Sequence, residues 1–290
     1  MTGGRKPPSA GDCRPAVRSR RIRVRPARRR PWLLAGLAVA ALALGGYVAF
    51  RLLTRESSTP ASVAAALARL RAQPPTARTL PPALRGRAPQ PGVYVYATSG
   101  FEVSHALGTR RHAYPARTTM TVSTTPAGCL RLRWDVLATR DDAVLACRRA
   151  DGSWRLAAQS ESHAFAGHLD RRTYACTPAS TYLPAILKPG ATWSSRCAIP
   201  GTTTSDSGVV LGPRTLTLDG RPTRTVLLRT TTRVRGETVG AGTTFTWLLP
   251  DTRLVVRRML ANASATATII GSVPYEERAS LALDAPRPRR

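Results

Sequence analysis

Lysine is nearly missing from this chain: 42 of its 44 basic residues are arginine, the exceptions being Lys6 and Lys188. So general an arginine excess reads as the coding bias of a high-G+C bacterial genome and carries no functional message. Acids are scarce as well, 16 in all, which leaves a net charge of +28. The absent motifs remove whole classes of chemistry. There is no G-x-S-x-G nucleophile elbow, no H-E-x-x-H zinc motif and no glycine loop to cradle phosphate. None of the five cysteines sits in the closely spaced pair that structural zinc uses. We therefore expect no cofactor, no metal and no catalytic residue.

Long apolar runs are also absent, with one exception. Trp32 to Phe50 is an unbroken stretch without a charged side chain, and a helix of that length spans roughly 28 Å, the thickness of a bilayer core. We read 32–53 as a single transmembrane helix that serves as an uncleaved signal-anchor. Residues 1–30 hold eleven Arg and Lys against one acid, Asp12, whereas Arg51, Arg55 and Arg69 are the basic residues soon after the span. The positive-inside rule then keeps the basic tail, 1–31, in the cytoplasm and sends the remainder across. Topology and anionic lipid heads account for the tail's charge, and no aromatics or helix-turn-helix pattern accompany it, so nucleic acid is not expected as a partner.

Beyond the membrane, 54–91 reads as a short helix followed by a proline-rich linker. Ser58 or Thr59 ahead of Pro60 suggests a cap, and Val63, Leu67 and Leu70 form one apolar stripe. From Pro74 to Pro91 the prolines favour extended polyproline II, a stiff spacer. From Gly92 the period changes to two. Leu130, Leu132, Trp134 and Val136 alternate with Arg131, Arg133 and Asp135, as a half-buried strand requires. Tyr94 with Tyr96, Met120 with Val122, and Phe245, Trp247 and Leu249 show the same pattern. Asp151-Gly152 and Asp219-Gly220 supply the positive φ angles of two-residue hairpin turns. The fold class expected over 92–284 is mainly β, an antiparallel meander of about nine to twelve strands closing as a sandwich or a curved half-barrel. Thr177 to Lys188 could hold one more short helix, Asp141-Asp142 reads as a turn, and 285–290 is a basic C-terminal tail.

Cys129, Cys147, Cys176 and Cys197 all fall on the outer side of the membrane, where oxidation persists, and an even set there argues for two disulfides. Of the three possible pairings, proximity in sequence favours Cys129 with Cys147 and Cys176 with Cys197. His163 and His168, near Asp170 and Glu161, are the only other clustered candidates for chemistry, and a hydrolase would need them to meet in a cleft.

The runs Pro91-Gly92-Val93-Tyr94-Val95-Tyr96-Ala97-Thr98 and Arg111-His112-Ala113-Tyr114-Pro115-Ala116-Arg117-Thr118-Thr119 resemble the opening of an uncharacterised ectodomain family. That family occurs in membrane-anchored proteins of high-G+C Gram-positive bacteria. Phe165-Ala166-Gly167-His168, Arg172 to Pro178, Trp247 to Pro250 and Leu254 to Arg257 extend the resemblance, which implies a membrane-anchored outer domain and no assigned activity.

The function expected is that of a non-enzymatic extracytoplasmic binding protein of the cell envelope, anchored in the cytoplasmic membrane. Its partner would be another envelope protein, an anionic envelope polymer or a lipid, met by a basic surface that includes Arg131, Arg133, Arg257 and Arg258. The alternative is a lipid or hydrophobic-ligand carrier in which Trp134, Phe245 and Trp247 line a curved sheet. An envelope hydrolase ranks third.

Overall fold

The computed structural model describes residues 39–48, 59–105, 108–138, 140–165, 168–268 and 271–290, the side chains of 163–165 and 168 excepted. The chain divides into two units, Met1–Leu52 and Leu53–Arg290. In the first, 39–48 is helical, and Val39, Leu42 and Leu44 are exposed. Among the described residues no helix is long and apolar enough to cross a membrane. The rest of the expected span 32–53, Cys13 and the basic tail lie outside the described residues.

The second unit is built from fourteen strands: β1 (Gly92–Ser104), β2 (Arg110–Ala113), β3 (Arg117–Thr124), β4 (Leu130–Leu137), β5 (Arg140–Arg148), β6 (Trp154–Phe165), β7 (His168–Cys176), β8 (Thr181–Leu183), β9 (Thr192–Ile199), β10 (Thr202–Leu218), β11 (Arg221–Gly236), β12 (Thr238–Leu248), β13 (Val255–Thr268) and β14 (Gly271–Leu283). Short turns make most successive strands antiparallel neighbours, the exceptions lying around β2 and β8, which pair with β1 and β6. Asp219 (φ 51°) and Gly220 (φ 71°) adopt the positive φ pair expected of Asp-Gly, whereas at Asp151-Gly152 only the glycine does (φ 85°).

Neither a sandwich nor a half-barrel results. β1 pairs with β14 from Tyr96↔Leu283 to Ser104↔Tyr275 and on its other side with β3, so the sheet closes on itself as a twelve-stranded barrel, with β2 and β8 paired outside the ring. Closure removes the free edges that an open meander would expose.

One end of the barrel is filled and the other is not. At the filled end Tyr94, Tyr96, Val122, Leu130, Leu248, Leu254 and Leu281 are buried in one apolar cluster. The proline-rich stretch belongs to that end and is not a spacer. It forms 3-10 turns at Pro75–Arg78 and Pro82–Leu84, buries Leu84 and Ala88, and accepts hydrogen bonds from the Thr124 hydroxyl at the carbonyls of Thr76 and Thr79. The helix Val63–Arg71 packs Ala66 and Leu70 on Val93, the outward neighbour of Tyr94. Its cap is Ser62, whose side chain accepts from the Ala65 amide at 3.0 Å, rather than Ser58 or Thr59. The stretch 177–188 carries the short strand β8 instead of a helix.

Candidate functional site

Above the apolar floor the barrel encloses a cavity of about 710 Å³. Strand parity decides what faces it. Opposite Asn262 and Leu260 stand Gly242 and Thr244, and Thr230, Thr232 and Asp206 follow in register across β11 and β10. The lining is therefore hydroxyl-rich. It includes six carboxylates, from Glu102, Asp142, Glu161, Asp170, Asp206 and Glu277, against three guanidiniums, from Arg140, Arg172 and Arg258. An acidic chamber thus sits inside a chain of net charge +28.

One wall is organised by Arg140, 4% exposed, at the start of β5. Its guanidinium bonds the Glu277 carboxylate at 3.0 Å and the Tyr114 hydroxyl oxygen at 2.8 Å, and it contacts Glu102 and Tyr275 more closely still. Tyr114 donates to Glu277 at 2.7 Å and the Asn262 amide donates to it at 3.2 Å. Burial works against every charge here, yet Arg140 and these donors hold the Glu277 carboxyl below its ordinary range, and the carboxylates in turn hold Arg140 above its own. Asp206 is fixed by neutral donors, Thr232 at 2.7 Å, Ser195 at 2.9 Å and Gln159 at 3.3 Å. Asp170 meets Arg172 at 2.8 Å, and Glu161 accepts from Tyr174 at 2.9 Å.

Asp142 behaves differently. It turns a third of its side-chain surface to the cavity and lies 3.6 Å from Arg140, but burial, with Glu277 and Glu161 adding to it, pushes its carboxyl up to about 7. A carboxyl whose pKa rises on folding holds its proton better in the folded chain. Its contribution to stability is present at low pH and fades as pH climbs from the usual carboxylate range through about 7. Glu277 has the opposite sign and acts only in acid, and the histidines that change charge between pH 5 and 8 are common to parent and variant, so the difference between the two across that window reports Asp142. Asp142→Asn is expected to raise the melting temperature more at pH 8 than at pH 5, and equal shifts in thermal melts at the two values would refute this.

The structure divides the residues expected to form the site. Trp134 lines the cavity, 2% exposed, its indole donating to the Thr118 hydroxyl at 2.9 Å. Phe245 and Trp247 do not, because their neighbours Thr244 and Thr246 face inward and a strand alternates. Trp247 instead lies under Arg257, 5.3 Å from ring centroid to guanidinium carbon. Arg131 is exposed, and Arg133 is tied to Asp135 at 2.8 Å and Asp141 at 3.2 Å. Arg258 leaves the expected basic surface altogether, since it lines the cavity with its guanidinium carbon 5.9 Å from the Trp134 ring. Asp141 and Asp142 lie within β5, not in a turn, and face opposite ways. The two disulfides join Cys129 to Cys147 and Cys176 to Cys197. The side chains of His163 and His168 lie outside the described residues.

Trp193 helps to shape the chamber. It lies across Gly208, its register partner, where an added Cβ would stand 2.1 Å from the ring. Gly208→Val is expected to drive the indole into the chamber and to change the near-ultraviolet circular dichroism at little cost in secondary structure. An unaltered spectrum would show that the ring does not depend on the glycine.

The fold and lining together define a closed antiparallel barrel with an internal chamber whose apolar surface is set with hydroxyls and charges. No protein-family model matches the chain, and no curated protein does. Among solved structures it is similar to the hypothetical lipoprotein YmcC of Escherichia coli (K12), with 12% identity, 63% of this chain and 85% of that one covered, and a TM-score of 0.30. It is also similar to an exported protein with a YmcC-like fold from Bacteroides fragilis NCTC 9343, with 10% identity, 69% and 97% covered, and a TM-score of 0.31. Likenesses this distant carry no functional argument.

Proposed function

We propose that this chain is a non-enzymatic binding protein of the bacterial cell envelope, held at the cytoplasmic membrane by its N-terminal apolar segment, with the barrel outside and a polar small molecule as its ligand. The observation that carries this reading is the lining of the chamber. A cavity of about 710 Å³ falls within the range of small-molecule sites, and its hydroxyls and charges suit a ligand that forms hydrogen bonds. An acyl chain would displace water from the Arg258 guanidinium, which no carboxylate pairs with among the described residues, and this disfavours the carrier of apolar ligands. The disulfides and the basic tail ahead of the apolar segment support the outer location.

The test is thermal unfolding of the full chain in detergent against a panel of sugars, amino acids, short peptides, organic acids and fatty acids. A ligand present at a hundred times its Kd adds about 2.7 kcal/mol to stability, so a polar compound should raise the melting temperature clearly. Thr244→Phe, which projects a ring into the chamber, should abolish that shift. Stabilisation by fatty acids alone, or by nothing in the panel, would reject the reading.

A further inference from the structure

Most charges in the chamber are already held. Arg140 gathers Glu102 and Glu277, Asp206 has three donors, and Asp170 has Arg172. Arg258 is the exception. It rests on the face of Trp134, its Nε is buried with no hydrogen-bond partner, and among the described residues no carboxylate pairs with it. Arg258 is half-buried with its Nε out of reach of water, and an oxyanion entering the chamber would give that N–H an acceptor within a pair of parallel N–H···O bonds. Donors flank it. Thr246 is its register partner on β12 and also lines the chamber. Tyr182 lines it too, and burial raises the pKa of its phenol, which keeps the hydroxyl proton available.

We propose that Arg258 is the anion subsite of the chamber, taking the carboxylate or phosphate group of a polar ligand, with Thr246 and Tyr182 as further donors and the Trp134 ring holding the guanidinium plane. This rests on the binding reading above and adds the ligand's chemistry and orientation. Asp142 lies close enough to act electrostatically on both Arg258 and Glu161. That acidic pair selects against polyanions. The ligand it suits has one oxyanion at the floor, with hydroxyls or an ammonium directed toward the carboxylates.

Calorimetry on the full chain in detergent tests this with inorganic phosphate, acetate, trialanine and trialanine amide. At least one of the first three should bind, phosphate or the carboxylates according to the oxyanion preferred, and the amide should not. Arg258→Met should weaken that binding by about 10- to 100-fold, the loss expected for a charge-assisted bidentate pair. At pH 8, where the Asp142 carboxyl is ionised, Asp142→Asn removes a neighbouring negative charge and should strengthen it several-fold, a gain that misfolding cannot mimic. An oxyanion that binds Arg258→Met as well as the parent would overturn the assignment. So would a chain that binds none of the three while a sugar from the wider panel still binds; that outcome removes the subsite and leaves the chamber's function standing. Failure of every compound would remove both.

Discussion

Replacing Arg140 by methionine is expected to destabilise the barrel by about 3–5 kcal/mol, the cost of leaving buried carboxylates without their cation. Glu277 is buried, and Glu102 and Asp142 share the same guanidinium. His112, 3.3 Å from Glu102, is a cation only when protonated, and Arg258 acts on Asp142 without pairing with it. Denaturant unfolding should show the loss. The double variant Arg140→Met with Glu277→Gln should recover part of it, because the second change deletes one of the stranded charges. Arg133→Met should cost only about 1 kcal/mol, because its buried partner Asp135 keeps the Arg69 guanidinium at 2.8 Å. Near-equal losses for Arg140 and Arg133 would mean that water replaces the guanidinium and that the wall is not dry.

Removing the second disulfide, Cys176→Ala with Cys197→Ala, should cost about 3 kcal/mol from chain entropy for a loop of this size, and its effect on the structure should exceed that of removing the first. The reason is the seam it closes. β7 and β9 share only the pairs Ala175↔Ala198 and Cys176↔Cys197, whereas β4 and β5, beside the first bridge, are paired from Leu130↔Ala146 to Leu137↔Arg140. Hydrogen exchange should accelerate selectively in β7 and β9 when the second bridge is lost. Uniform acceleration across the barrel, or none in those strands, would show that the seam is not its weak line.

The alternation of Trp134 with Arg131 and Arg133 was legible in the sequence because there the apolar face is the inner one. The same rule misplaced β12. In its upper part the larger side chains, Phe245 and Trp247, point outward and the threonines point in, the reverse of a filled core, because the barrel encloses a chamber set with hydroxyls and charges. Arg257 and Arg258 illustrate the other limit. As neighbours on a strand they must face opposite ways, so they could never have formed one surface, and period-two reasoning alone would have separated them. The Arg140 network could not be read locally, since it joins residues from β1, β5, β13 and β14. Closure was equally hidden, because alternation is the same in a sandwich and in a barrel.

That closure has a consequence for how the domain is made. β1 emerges first and cannot complete its pairing until β14 follows, at the far end of the domain. While the chain is still being delivered, the growing sheet keeps two raw margins open to any neighbouring nascent chain. Ribosome-bound or truncated forms ending before Gly271 should thus depend on chaperones, and maturation should proceed as a single late snap rather than strand by strand.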